Sequence, residues 1–388
     1  MGNLVFCFDG TNNTLDSRKP TNVARLRSCL DLGSIKRQRV WYDPGVGTTA
    51  RRSGQREPSG YGPALTVLPA PDDGWVKVLG GLLFGTGLKE NVRSLYTELA
   101  AAYAPGDTVF LFGFSRGAFT VRALAGLLYR CGLPEPHAVS EEVFDEAWEL
   151  FQAILPKDRD RAAETRLRSQ HRPCPIHFLG LWDTVKSYGG LYPVLLPHLR
   201  HNPTVAHVRH ALAWDERRAW FKATSWGRLD SDRGRCNAMS RVDPVDRPAI
   251  EDQDVSEVWF TGCHSDVGAG DVALRWMLGE ATNVSSPVIL SEHGRSRLAT
   301  ADSTKPQPVT ESWSRAWGPV ECIPRLEPDN HCLYPRRTLH YRSDGARRPH
   351  DTRRDDDVAV HDTAADRPDI QFRHVVVRTK SLSPDPGA

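Results

Sequence analysis

Residues 109–120 read VFLFGFSRGAFT, an apolar run, then Gly113-Phe114-Ser115-Arg116-Gly117, then the start of a new segment. That segment carries a helical apolar stripe through Val121, Leu124, Leu127 and Leu128. A serine with glycine two places before and after it, between a strand and a helix, is the pattern of a nucleophile elbow. The turn is so tight that its neighbours tolerate little side chain, which is what Gly113 and Gly117 provide. Ser115 at such a turn holds its Oγ exposed at a helix N-terminus. There the backbone N–H groups, that of Arg116 first, and the helix dipole favour a developing oxyanion. The competing reading is a structural Gly-Ser turn. A five-residue match alone is common, and the strand–turn–helix context is what favours the elbow.

A serine hydroxyl is a weak nucleophile and needs a base, which in turn needs an orienting acid. In folds with this elbow the chain order is Ser, then Asp or Glu, then His, each after a strand. Downstream of Ser115 the first acid at a predicted strand end is Asp183, in FLGLWDTVK. The first histidine at a later strand end is His264, in EVWFTGCHSDVGAG. Asp183 could instead cap a turn, and His264 competes with thirteen others among the chain's 14 histidines. His210 falls in a helix-like run near 205–223 and reads as a packed or surface residue. Asp266 is the reserve acid, or a residue that shapes the loop predicted at Thr261–Asp271.

The N-terminal VFCFDGTNNT (5–14) is a second motif. Asp-Gly-Thr after a strand is also the ending of the D-x-D-G-T pattern of aspartyl-phosphate phosphatases, but Cys7 occupies the nucleophile's position. The better reading gives Gly10 and Thr11 a part in the oxyanion site, with Asp9 shaping the turn by Asx-type hydrogen bonds or standing near the site. The glycine-rich 80–87 (GGLLFGTG) has neither the lysine of a phosphate-binding loop nor the G-x-G-x-x-G spacing. It reads as a close-packed turn or loop. GLYPVLLPHLR at 189–199 would line either the core or an acyl-binding cleft.

These residues need a layered scaffold to bring them together. Short apolar runs at 5–8, 109–112, 175–182 and 256–260 alternate with helical patterns at 88–103, 116–130 and 141–154, which predicts an α/β fold with a mostly parallel sheet. Ser115, Asp183 and His264 must converge, so residues 1–282 are expected to form one catalytic domain. Residues 283–312 are rich in Ser, Thr and Pro, and 342–369 in Arg and Asp. The 283–388 extension is therefore expected to be loops or partly disordered, because such stretches bury little surface to offset ordering entropy.

The 388 residues carry 50 Lys+Arg against 48 Asp+Glu, a net charge of +2, which gives no reason to expect a nucleic-acid partner. No apolar run approaches the roughly 18 residues of a membrane-spanning helix, and the start of the chain does not read as a secretory signal. A cytoplasmic location is the expectation, with any peripheral membrane contact local and apolar. The eight cysteines include no C-x-x-C pair, so neither a zinc site nor a redox pair is expected, and the chemistry calls for no metal or cofactor.

Several long stretches resemble one family in order: FCFDGTNNT (6–14), VWYDPGVGT (40–48), PGDTVFLFGFSRGAFTVRALAGLL (105–128), FLGLWDTV (178–185), RHALAWDERRAWF (209–221), EVWFTGCHSDVGAG (257–270) and LRWMLGEA (274–281). The chain is similar over about residues 3–282 to an α/β-hydrolase family catalogued as a domain of unknown function, which includes the catalytic domain of type VI secretion phospholipase effectors. The resemblance implies an α/β-hydrolase fold, Ser115, Asp183 and His264 as the triad, and ester hydrolysis with phospholipid acyl esters as substrates. It leaves two alternatives, a small-ester or thioester hydrolase on the same scaffold and a non-catalytic binding protein that keeps the fold.

Overall fold

The first strand shows how the chain is layered: Leu4, Phe6 and Phe8 pack on one face of the sheet, Val5 and Cys7 on the other, all buried. Such double burial is what makes parallel strands read as unbroken apolar runs. The structure, a computed structural model, describes residues 1–10, 19–44, 87–153, 158–185, 202–218 and 253–299, the short pieces 196–197, 199, 221, 223–226 and 309–312, and the backbone of four short strands beyond residue 324. Thr11, the glycine run at 80–86, residues 189–195 and the Arg/Asp-rich 342–357 lie outside the described residues.

Strands β1 (Asn3–Phe8), β2 (Gln38–Asp43), β3 (Thr108–Phe114), β4 (Ile176–Trp182), β5 (Val205–Ala213) and β6 (Asp254–Phe260) pair in parallel in the order β2-β1-β3-β4-β5-β6. Strands β7 (Arg325–Pro328) and β8 (Pro335–Thr338) form a separate antiparallel pair. Two three-residue strands, β9 (Val358–Val360) and β10 (Val375–Val377), continue the main sheet in parallel beyond β6. The chain steps from β1 to β2 in one direction and then crosses back to β3 on the other side of β1. That reversal opens a crevice at the carboxyl ends of β1 and β3, where ligands bind in open α/β sheets.

Helices cover both faces. On one side lie α2 (Gly87–Ala102), α3 (Arg116–Cys131), α4 (Glu141–Gln152) and α5 (Arg161–Gln170), packed on Leu4, Phe6, Val109 and Leu111. On the other side α1 (Asn22–Cys29) and α7 (Asp271–Thr282) pack on Val5, Cys7, Phe110 and Phe112. The short α6 (His264–Ala269) precedes α7, and α8 (Glu292–Ala299) lies against α1. Side-chain caps start three of these helices: Thr21 accepts from the Ala24 N–H, Ser140 from Val143 and Asp160 from Ala163.

Three expectations are corrected. Residues 205–213 form β5, not a helix; a strand buried on both faces of the sheet shows no alternation, and Ala and Arg within it imitate helical composition. His210 accordingly sits in the sheet, fully buried. The predicted loop at 261–271 folds in part as α6, whose Asp266 caps it from the third position by accepting the Cys263 N–H at 3.0 Å. Within the Ser/Pro-rich stretch, Val288 and Leu290 join the core and Leu290 bridges to Leu30, so two apolar residues tie residues 284–299 to the sheet's flank.

Asn22 links two of these pieces. It is fully buried, and its Nδ2 donates to the Val267 and Gly270 carbonyls, each at 2.9 Å, tying α1 to the end of α6. Asn22→Ala is expected to cost about 1–3 kcal/mol, because buried carbonyls are left without a donor. Urea unfolding checks this, and an unchanged midpoint would contradict it.

Candidate active site

Ser115 follows the last residue of β3 and caps α3, with φ 56° and ψ −117°. A side chain in that region is strained, and the neighbouring packing enforces it. A Cβ on Gly117 would lie 2.2 Å from the Phe8 carbonyl oxygen, and one on Gly113 would lie 2.6 Å from Ala118 backbone atoms. Only glycine lets α3 start this close to the end of β1. The Ser115 N–H donates to the Trp182 carbonyl at 2.9 Å, which locks the elbow to β4.

The next residue along β4, Asp183, has φ 39° and is completely buried. Its N–H donates to the Ala211 carbonyl at 2.8 Å, and its Oδ1 accepts the Ala213 N–H at 3.1 Å. Its Oδ2 lies 2.5 Å from His264 Nδ1, and His264 Nε2 lies 2.8 Å from Ser115 Oγ. Asp183, His264 and Ser115 thus form a continuous hydrogen-bonded chain, drawn from the ends of β4, β6 and β3. With the carboxylate accepting from the Nδ1–H, Nε2 is left as a hydrogen-bond acceptor facing the Ser115 hydroxyl. The imidazole lies between Phe114, stacked at 4.7 Å, and Phe221, edge-on at 5.0 Å. Ser115 is 9% and His264 6% exposed, so the pair is largely shielded from solvent.

The other expected residues take different places. Asp266 is turned away from the imidazole: besides capping α6 it accepts from Thr310, N–H at 2.9 Å and Oγ1 at 2.7 Å. Asp9 stands at the carboxyl end of β1, 2% exposed. Its Oδ1 accepts the Gly10 N–H at 2.7 Å, and its Oδ2 accepts from Thr21 Oγ1 at 2.5 Å and the Tyr42 hydroxyl at 2.8 Å. Burial, with the Asp9 charge beside it, pushes the Tyr42 hydroxyl far above the usual phenol range, so it serves as a donor. Arg116 opens α3, where the first amides of a helix have no partner within the helix. Among the described residues no group of His, Cys, Asp and Glu is arranged to hold a metal ion. Cys7, Cys29, Cys131, Cys174 and Cys263 are free and buried, and burial pushes Cys7, Cys131 and Cys174 up to about 12.

Sequence reasoning missed the residues behind Ser115, His264 and Asp183. His210 Nε2 accepts the Thr184 N–H at 3.2 Å, so Nδ1 carries the proton and donates to Glu257 at 2.8 Å. Glu257 also accepts the Trp226 N–H at 2.6 Å. Asp215 and Glu216 lie just past β5, after Trp214: Asp215 accepts the Gly262 N–H at 2.8 Å and Glu216 the His264 N–H at 3.2 Å. The adjacent acidic pair in AWDERR was the available signal.

A doubly wound parallel sheet presenting a serine on a strained strand–helix turn defines an α/β-hydrolase-like protein. The chain belongs to the family described as T6SS, phospholipase effector Tle1-like, catalytic domain, whose model matches residues 2–282. It is 32% identical over 229 residues to the uncharacterized protein YEL023C of Saccharomyces cerevisiae, covering 57% of this chain and 32% of that one. A crystal structure of an uncharacterized protein from Pseudomonas aeruginosa aligns with TM-score 0.41 and 20% identity, covering 77% of this chain and 49% of that one. The Tle1 effector bound to the VgrG spike of the type 6 secretion system aligns with TM-score 0.30 and 17% identity, over 69% of this chain and 50% of that one. The chain thus spans about a third of the yeast relative and half of each solved chain.

The neutral state of His210 predicts a pH effect on stability. Burial lowers its pKa from 6.5, against Glu257 and Asp183, which raise it, and Arg122, which lowers it further. A histidine depressed in the folded state binds protons more readily once unfolded, so its contribution is intact above about 6.5 and is lost as pH falls below that value. Unfolding free energy should decline from about pH 7 to about pH 5, and His210→Gln should flatten the slope by up to about 1.4 kcal/mol per pH unit. Equal slopes by urea titration would contradict a neutral His210.

Proposed function

We propose that the protein is a serine hydrolase that cleaves phospholipid acyl esters through an acyl-enzyme. The observation that carries this reading is the hydrogen-bonded chain from Asp183 through His264 to Ser115, at the crevice where the sheet reverses. The family supports the substrate class.

In this mechanism His264 Nε2 takes the proton of Ser115 Oγ as the oxygen attacks the ester carbonyl carbon. Asp183 keeps the Nδ1–H tautomer and stabilises the imidazolium, and its own orientation is held by the Ala213 N–H. The oxyanion forms against the Arg116 amide at the start of α3. Gly10's amide is committed to Asp9, and Thr11, the other residue expected to contribute to the oxyanion site, lies outside the described residues. Imidazolium then protonates the leaving lysophospholipid alcohol, the carbonyl reforms and Ser115 is left acylated. Water enters, His264 removes its proton, and collapse of the second tetrahedral intermediate releases the fatty acid. With a net charge of +2 the chain has no strong basic field to draw it to anionic lipid, so contact with a bilayer would rest on apolar surface near the site.

Fatty-acid release from phosphatidylcholine and phosphatidylethanolamine vesicles, set beside hydrolysis of short p-nitrophenyl esters, tests the proposal. Wild type should release fatty acid, Ser115→Ala should abolish it, and Asp183→Asn should lower kcat by about ten-thousand-fold, as loss of the orienting carboxylate does in serine proteases. Turnover of short esters with no release from any phospholipid would retire the lipid substrate. Ser115→Ala at the wild-type rate would retire the mechanism.

A further inference from the structure

Within RHALAWDERRAWF, residues 209–221, the mechanism uses Ala213 but not the charged and aromatic residues that follow it. Glu216 is 1% exposed, yet carries a carboxylate onto which donors from three segments converge. Its Oε2 accepts the His264 N–H at 3.2 Å and Arg218 Nη2 at 2.8 Å. Its Oε1 accepts the Arg218 N–H and Nε, both at 2.8 Å, and Ser312 Oγ at 2.9 Å. A carboxylate offers about four lone-pair sites, so these bonds fill it. The Arg218 guanidinium in turn lies 3.6 Å over the centre of the Phe221 ring, which packs steeply inclined against the His264 imidazole.

We propose that Glu216 and Arg218 are positioning residues for His264. Glu216 fixes the backbone from which the imidazole projects, and Arg218, paired to Glu216, holds Phe221 against the ring. The inference rests on the triad reading above and deepens it. Asp183 and Ser115 each set one nitrogen of the ring, but neither sets where the His264 Cα lies. That task falls to the turn at Gly262–His264, which Asp215 and Glu216 hold by accepting the Gly262 and His264 amides. The segment 309–312 closes over the same two loops: Ser312 on Glu216, Glu311 paired to Arg217 at 2.8 Å, and Thr310 on Asp266.

The sharpest probe is Glu216→Gln, which keeps the shape. A carboxamide has one acceptor oxygen, so whichever way it turns, its NH2 faces donors: the His264 N–H and Arg218 on one side, or Arg218 and Ser312 on the other. A buried ion pair broken from one side also strands the remaining charge. Because Glu216→Gln could fail to fold, Phe221→Leu provides a second route, removing the ring edge without touching the carboxylate.

The test compares wild type, Glu216→Gln, Phe221→Leu and Ser115→Ala of the full chain on a p-nitrophenyl ester. A parallel measurement records the low-field proton resonance of the Nδ1–H between His264 and Asp183, assigned by its loss in His264→Gln. Both positioning variants should lose about 10–100-fold in kcat with KM little changed, as small misplacement of a catalytic group does. In both, the low-field proton should shift or broaden while thermal unfolding stays cooperative; a purely structural role would lower the melting temperature and leave this resonance in place. Wild-type kcat and resonance in Glu216→Gln, or in Phe221→Leu if Glu216→Gln does not fold, would overturn the proposal. Equal rates for wild type and Ser115→Ala would instead overturn the hydrolase reading, and the positioning role with it.

Discussion

Among the described residues only two that are not glycine adopt positive φ, and they are Ser115 and Asp183. Each strained residue costs on the order of 1–3 kcal/mol, so the surroundings must over-determine it. They do so by joining the two ends together: the Ser115 amide is held by the carbonyl of Trp182, the residue immediately before Asp183. The strained elbow of one strand is thereby tied to the strained end of the next. Gly117 closes the arrangement from the other side, where α3 presses against the end of β1 with no room for a methyl group. The rest of the site depends on this pair of turns, because they aim a hydroxyl and a carboxylate at the same imidazole.

Behind the turns lies a layer of buried polar groups that would be costly if left unpaired. Asp9 fixes the end of β1 through Gly10, Thr21 and Tyr42. His210 takes the amide of Thr184, next to Asp183, and passes its own proton toward Glu257. Arg122, 1% exposed, donates to the Leu199, Thr224 and Ser225 carbonyls and faces the Trp226 ring. Strand β5 is central to this layer. It supplies the Ala211 carbonyl and Ala213 amide to Asp183, then the Asp215 and Glu216 carboxylates to the turn that carries His264.

The front of the site was legible in the sequence because its residues obey local rules. A tight strand–helix turn demands glycine at Gly113 and Gly117, and strand ends mark Asp183 and His264. The back was not legible, for physical reasons. Strand β5 is covered on both faces, so VAHVRHALA lacks the alternation that separates strand from helix. His210 and Glu257 lie 47 residues apart and meet only because β5 and β6 pair in register, a long-range fact invisible to any window of sequence. Helix α6 has only six residues in a Gly-rich segment, below the length at which apolar periodicity can be read. Val288 and Leu290 show the reverse error: two apolar residues in a Ser/Pro-rich stretch were enough to dock it.

Family membership and geometry bear on different parts of the account. The family match covers residues 2–282 and bears on lipid esters, while the buried chain of hydrogen bonds bears on the reaction step. No described helix is long and apolar enough to cross a membrane. Covalent labelling with a fluorophosphonate probe, followed by peptide mass mapping, tests whether Ser115 is a nucleophile activated by His264. A single adduct is expected on the peptide containing Ser115, lost in Ser115→Ala and formed far more slowly in Asp183→Asn. No adduct on the folded wild type, or an adduct that persists in Ser115→Ala, would contradict that role.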